Sequence, residues 1–192
     1  MTPTIRTRPL IAGALPEQGA LRIALFVLIA LAGSWLLAIS GQFKVPFYPV
    51  PTTMQTFAAI VIGATFGARL GLATGALFLA QGAAGLPVFA GGGGLAYLAG
   101  PTGGYLVGFA VAAWLVGLAA DRGVAASPFK LFAASIVGAV VILAMGYAWL
   151  ATLIGAQAAW VSGVMPFLLG DLVKCVLAAA LVPAAAGLLQ RR

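Results

Sequence analysis

The chain has 192 residues, of which 63% are hydrophobic and only 7% charged, and its mean hydropathy is +1.14. Soluble domains are far less apolar, so this composition excludes a soluble globular protein and predicts an integral membrane protein with room for about six helical spans of ~20 residues. The net charge of +7 reflects scarce acids, only Glu17, Asp121 and Asp171, rather than basic clusters, and so does not predict a nucleic-acid partner.

Residues 1–20, with Arg6, Arg8 and Glu17 among Pro and Gly, read as a cytoplasmic tail. The first span is expected over about 21–40. An Arg-rich flank, an apolar run and Ala38-Ile39-Ser40 also fit a cleaved signal peptide, although the apolar run is long for one. Ala30, Ser34 and Ala38 recur every four residues, a small-residue stripe that lets another helix approach closely, most often within its own bundle. Residues 41–55 follow, with three prolines among aromatics and Gln55 at their end. Such a segment cannot be a regular helix and is expected to be an ordered or re-entrant loop.

Spans two and three are expected over about 54–66 and 70–85. Gly63, Gly67, Gly71 and Gly75 keep a spacing of four across the turn between them, which predicts tight helix contact. Residues 86–104 form a second unusual loop, apolar and aromatic where a flexible linker would be polar. It holds Phe89, Tyr97 and the run Gly91 to Gly94, whose backbone can approach a ligand closely. Spans four, five and six are expected over about 105–120, 129–150 and 164–189, with residues 153–163 as an uncharged loop. A single transmembrane domain, 1–192, results.

The sixth span carries the chemistry. Asp171 and Lys174 lie at i and i+3, on one helical face, in an otherwise uncharged stretch from Val164 to Leu189. A charge in hydrocarbon costs roughly 2.5–3.5 kcal/mol on insertion scales, so both side chains are expected to face a protein interior or polar cavity. One reading is an internal ion pair that only fixes helix packing. The other is a site whose ligand offers N–H groups to Asp171 and an anion to Lys174. With six spans, Arg6, Arg8, Arg22, Arg69, Arg122, Lys130, Arg191 and Arg192 fall on one side and Lys44 on the other. This bias predicts both termini in the cytoplasm and puts the two loops and the start of span six outside. The expected pocket draws on Asp171, Lys174, Gln55 and Thr53. Phe47 and Phe89 supply a rim, Tyr97 and Tyr105 hydroxyls, and Gly91 and Gly92 close backbone approach. The chain has no His, and Cys175 is its one cysteine, so a disulfide within the chain and the usual zinc or haem ligands are excluded and no cofactor is expected. No Walker-type G-x-x-x-x-G-K-[ST] run is present, so no nucleotide hydrolysis can be located here.

Four segments resemble the BioY family of biotin-specific substrate-binding subunits. They are Val45-Pro46 through Gln55, with Val50-Pro51-Thr52-Thr53-Met54-Gln55; Gly85-Leu86-Pro87-Val88-Phe89-Ala90; Gly100-Pro101-Thr102-Gly103-Gly104-Tyr105; and Pro166-Phe167-Leu168-Leu169-Gly170-Asp171-Leu172-Val173-Lys174. The resemblance implies an all-α, six-helix bundle in a bacterial cytoplasmic membrane, acting as the S component of an energy-coupling-factor (ECF) transporter for biotin. It implies that Asp171 accepts the ureido N–H groups, that Lys174 pairs with the valerate carboxylate and that Gln55 lies near the ring. The implied partners are a transmembrane coupling protein (EcfT/BioN type), offered the Ala30/Ser34/Ala38 face, and ABC ATPases (EcfA/BioM type), so the chain itself is expected not to be an enzyme. Some family members add an Asn in span three and an Arg in the Gly-rich loop. This chain has Phe78 and Gln81 in span three and no Arg in Gly91–Gly94. The rival readings are a proton-coupled secondary transporter for a small carboxylate, an S component for another vitamin, and an intramembrane enzyme with Lys174 as nucleophile.

Overall fold

The computed structural model describes Ile11 and residues 19–190. Apart from Ile11, Gly19 and Ala20, the tail expected over 1–20 lies outside the described residues, as do Arg191 and Arg192. In chain order the elements are α1 (Ala20–Ser40), a ribbon of β1 (Lys44–Val45) and β2 (Thr52–Thr53), α2 (Gln55–Phe66), α3 (Ala68–Ala83), α4 (Leu95–Leu98), α5 (Gly103–Asp121), α6 (Pro128–Ile154), α7 (Ala156–Gly163) and α8 (Leu168–Gln190).

Four stretches are long and apolar enough to cross a membrane: α1, α5, α6 and the run Ala156–Leu188. The helices α2 and α3 have 12 and 16 residues. At 1.5 Å per residue they reach about 18 and 24 Å, short of a hydrocarbon core about 30 Å thick. Gly67, at φ +81°, turns the chain between them, a backbone conformation that residues with a Cβ rarely adopt. Residues 153–163, expected as a loop, are largely helical instead: α6 continues to Ile154 and α7 starts at Ala156. Only Gly155, at φ +85°, interrupts them. The absence of charge there reflects an apolar helix and not a connector. Pro166 lies in a short 3-10 turn, Met165–Phe167, and the last helix begins at Leu168.

Side-chain hydrogen bonds fix which helix ends lie together. Gln55 Nε2 donates to Leu37 O at 3.2 Å, Trp149 Nε1 to Gly100 O at 2.9 Å and Tyr105 Oη to Gly163 O at 2.6 Å. The end of α1, the starts of α2 and α5, and the ends of α6 and α7 therefore share one end of the bundle. At the other end the Ala68 amide donates to Asp121 Oδ2 at 3.2 Å, joining the start of α3 to the end of α5.

Central helix α5 packs along α2, α3 and α6, while α1 lies on α3 and α8 on α6 and α2. Small residues allow these contacts. A Cβ at Gly75 would come within 2.5 Å of Ala110 Cα, and one at Gly71 within 2.9 Å of Ala113 O. On α8 the polarity is inverted relative to a soluble helix. Asp171, Lys174, Cys175 and Ala178 are buried, whereas Leu172, Val173, Val176 and Leu177 are exposed. An apolar outer face around a polar inner one suits a lipid environment, where charged side chains turn toward the bundle.

Gly75→Val should lower the melting temperature in detergent, since overpacking a close contact costs about 1–3 kcal/mol. Gly187→Ala, whose Cβ would meet nothing within 4 Å, should leave the melting temperature unchanged or raise it.

Candidate functional site

The end of the bundle that holds Gln55 and Tyr105 contains a cavity of about 430 Å³, counted to its open mouth. That is within the range of sites that hold a small molecule, roughly 300–1,000 Å³. The ribbon and the start of α2 contribute Val50, Pro51, Thr53, Gln55 and Thr56. The loop before α5 adds Ala90, Tyr97 and Thr102, and α5 itself adds Tyr105, Leu106 and Phe109. Ile142 and Leu143 of α6, Phe167 and Asp171 complete the wall. Apolar surface dominates, with a few polar groups converging on it.

Asp171 is the charged residue on this wall. Its Oδ1 accepts from Lys174 Nζ at 2.8 Å, and both residues are buried, at 3% and 6% exposure. Its Oδ2 is buried and has no hydrogen-bond partner among the described residues. Thr52 Oγ1 and Thr74 Oγ1 are the other side-chain oxygens in that condition among the described residues; both are hydroxyls and neither lines the cavity. A buried carboxylate oxygen without a donor is costly, so Asp171 presents an acceptor suited to a ligand N–H. Lys174 is not on the cavity wall. It pairs with Asp171 next to that wall.

Gln55 is held in place by its neighbours. Its Nε2 donates to Leu37 O, and Thr53 Oγ1 donates to its Oε1 at 3.2 Å. Gly41 lies so close that a Cβ there would sit 2.9 Å from Gln55 Nε2. Tyr105 uses its hydroxyl on Gly163 O and stacks its ring on Phe167, centroids 5.9 Å apart. Tyr97 stacks on Phe89 at 5.4 Å.

Of the residues expected to form a site, Asp171, Gln55, Thr53, Tyr97 and Tyr105 share the cavity. Phe89, Gly91 and Gly92 do not line it. Phe89 is buried beneath, edge-on to Phe78 at 5.3 Å and covering the space a Cβ at Gly82 would need. Gly92 is bridged to Phe89. Phe47 is 46% exposed and forms no part of the wall. Neither Phe78 nor Gln81 reaches the cavity; Gln81 has its amide oxygen 3.1 Å from Ser34 Oγ. That contact gives the small-residue stripe a neighbour within its own bundle, the usual meaning of such a stripe, so the face expected to be offered to a coupling protein is covered in this structure. Ala30, Ser34 and Ala38 are buried within the chain, on the side of α1 that packs against α3. The sequence reading missed the apolar wall from α5 and α6, where no polar residue marks it. It also missed Lys44, whose ammonium donates to Ala90 O.

Comparison with known proteins follows the same outline. A sequence model described as the BioY family matches residues 17–191. A biotin transporter BioY of Rhizobium etli is 39% identical over 168 residues, covering 82% of this chain and 87% of that protein. A probable biotin transporter BioY of Pyrococcus horikoshii is 36% identical over 157 residues, covering 81% and 88%. A biotin transporter BioY of Thermotoga maritima is 32% identical over 162 residues, covering 83% and 90%. Among solved structures, the S-component for biotin from an ECF-type ABC transporter superposes with a TM-score of 0.77 at 23% identity, covering 89% of this chain and 95% of that one. At that identity the likeness is one of fold.

Tyr105→Phe keeps the ring stack but leaves Gly163 O without its buried donor. It should cost about 1–2 kcal/mol of stability, read as a lower melting temperature in detergent.

Proposed function

This chain belongs to the BioY family, and on that premise we propose that it takes up biotin as the substrate-binding S component of an ECF transporter. It is a multi-pass membrane protein and acts in transport, not catalysis. The observation that carries the site assignment is Asp171 Oδ2, a buried, unpartnered acceptor on the wall of an apolar cavity. A ureido ring offers two N–H donors, and Asp171 takes at least one of them in a charge-assisted hydrogen bond. The apolar wall from Leu106, Phe109, Ile142 and Leu143 accepts the fused rings and the aliphatic chain. Gln55 and Thr53, oriented by each other and by Leu37, supply polar contacts near the ring. Tyr97 and Tyr105 close the sides, while Phe89 beneath Tyr97 and the backbone of Gly91 and Gly92 hold the loop in shape. Lys174 keeps Asp171 compensated and aimed. Phe47 remains on the outer surface of the ribbon.

The same reading has α2 and α3 joining the four long stretches in a bundle of six spans, in one transmembrane domain with both termini in the cytoplasm. Support comes from the cations. Arg22, Arg69, Arg122 and Lys130 lie near helix ends away from the cavity, and Lys44 lies at the cavity end, a distribution that supports an outward-facing cavity under the positive-inside rule. ATP hydrolysis then falls to separate ATPases, reached through a transmembrane coupling protein, in the cytoplasmic membrane of the cell.

Asp171→Asn should weaken biotin binding by about a hundredfold or more, since it removes a charged acceptor and leaves Lys174 uncompensated. Titration calorimetry in detergent measures this. The double variant Asp171→Leu/Lys174→Met removes both charges, so it should fold and still fail to bind. A double variant that binds biotin like the wild type would mean that the pair serves packing alone.

A further inference from the structure

The proposed biotin site leaves the ligand's carboxylate without a cation on the wall, because among the described residues Asp171 is the one charged residue that lines it. We infer that Lys44 is that cation, a specificity-determining residue that receives the carboxylate at the cavity mouth. The inference rests on the biotin reading and deepens it.

Three observations converge on Lys44. In the antiparallel ribbon Lys44 is paired with Thr53, and directly opposed residues of such a pair project from the same face. Thr53 lines the cavity. The Lys44 ammonium reaches across to Ala90 O of the opposite loop, and Ala90 lines the cavity too. Lys44 does not itself line the wall, but it links the ribbon to the opposite loop beside two residues that do. One contact to Ala90 O uses one of the three N–H donors of an ammonium, so two remain for an anion.

Charge at this end of the bundle agrees. Among the described residues Arg22, Arg69, Arg122 and Lys130 lie at or near the starts of α1, α3 and α6 and the end of α5. The hydrogen bonds above place the opposite ends of α1, α5 and α6 beside the cavity. Lys44 is exposed, so a carboxylate at the mouth meets it without displacing a buried partner. Asp171 below and Lys44 above then give the cavity an acceptor at one end and a cation at the other. A ligand with N–H groups at one end and a carboxylate at the other matches that polarity.

A bond to the ligand and a mere tether between two loops make different predictions. The full chain in detergent is titrated with biotin and with biotin methyl ester, which keeps the rings and the chain but carries no charge. Lys44→Gln should weaken biotin binding on the order of tenfold or more, as for loss of a charge-assisted contact, and leave ester binding within about twofold, because only the ligand–Lys44 term is removed from the cycle. Lys44→Arg should recover most of the biotin affinity. Equal losses for acid and ester would reduce Lys44 to a tether, and unchanged biotin affinity in Lys44→Gln would remove it from the site; either result overturns this inference and leaves the biotin reading standing. A wild-type chain that binds neither compound overturns both.

Discussion

The ion pair between Asp171 Oδ1 and Lys174 Nζ, 2.8 Å apart on one face of α8, sets conditions that the surrounding helices satisfy. Neither charge can face lipid without a cost of roughly 2.5–3.5 kcal/mol on insertion scales, so this face turns inward while Leu172, Val173, Val176 and Leu177 turn out. Burying the pair is itself of doubtful net benefit, because desolvation offsets much of the attraction. A well-packed apolar face would serve the fold equally well. The pair is also incomplete, since Lys174 engages one carboxylate oxygen and leaves the other buried and bare. The bare oxygen, on a residue that lines the cavity, supports the proposed role of Asp171 there.

The helices around this pair leave a space and cover it with ordered backbone. Close approach of α2 and α3 to α5, through Gly71, Gly75 and their neighbours, packs one side of the bundle tightly. The cavity forms instead where α5, α6 and the start of α8 meet beneath the ribbon and the Gly-rich loop. The roof has its own small core. Phe89 lies over Gly82, edge-on to Phe78 and stacked on Tyr97, and Gly94 N donates to Gly82 O at 2.6 Å. These contacts tie an otherwise irregular loop to the end of α3, so the roof has a defined shape despite its four successive glycines.

Much of this was legible in the sequence wherever a residue was costly or sterically special. Asp171 and Lys174 stood out by charge, and their i, i+3 spacing correctly put them on one face. Pro-rich 41–55 could not be helical, and it carries the ribbon. What the sequence could not supply was the third dimension. Periodicity identifies Ala30, Ser34 and Ala38 as a close-contact face but does not name the neighbour, which is α3 of the same chain. The uncharged run 153–163 was expected as a loop, yet it is helical on both sides of one positive-φ glycine, Gly155, which suffices to break the helix there. The apolar wall from Phe109, Ile142 and Leu143 carries no signal distinguishing a cavity face from a packed one. Lys44 looked like an outlier in a topological count, and its meaning depended on the ribbon register that pairs it with Thr53.

The two polar ends of the cavity belong to different kinds of element. Asp171 sits on α8, anchored by Lys174 and flanked by packed helices, and its position is fixed by the bundle. Lys44 sits on a two-residue strand held to the body by Met54 N to Phe43 O at 3.1 Å, by the Thr53–Gln55 contacts and by its own bond to Ala90 O. Ribbons this short have little stability of their own. A displacement of the ribbon would carry the cation away from the mouth and break its link to the opposite loop, leaving the Asp171–Lys174 pair intact. A ligand that bonds to both ends therefore stabilises the covered arrangement, and it loses its carboxylate contact in any arrangement that uncovers the cavity. Affinity and closure are then linked through one side chain, so a device that moves the ribbon weakens binding without rebuilding the helical site.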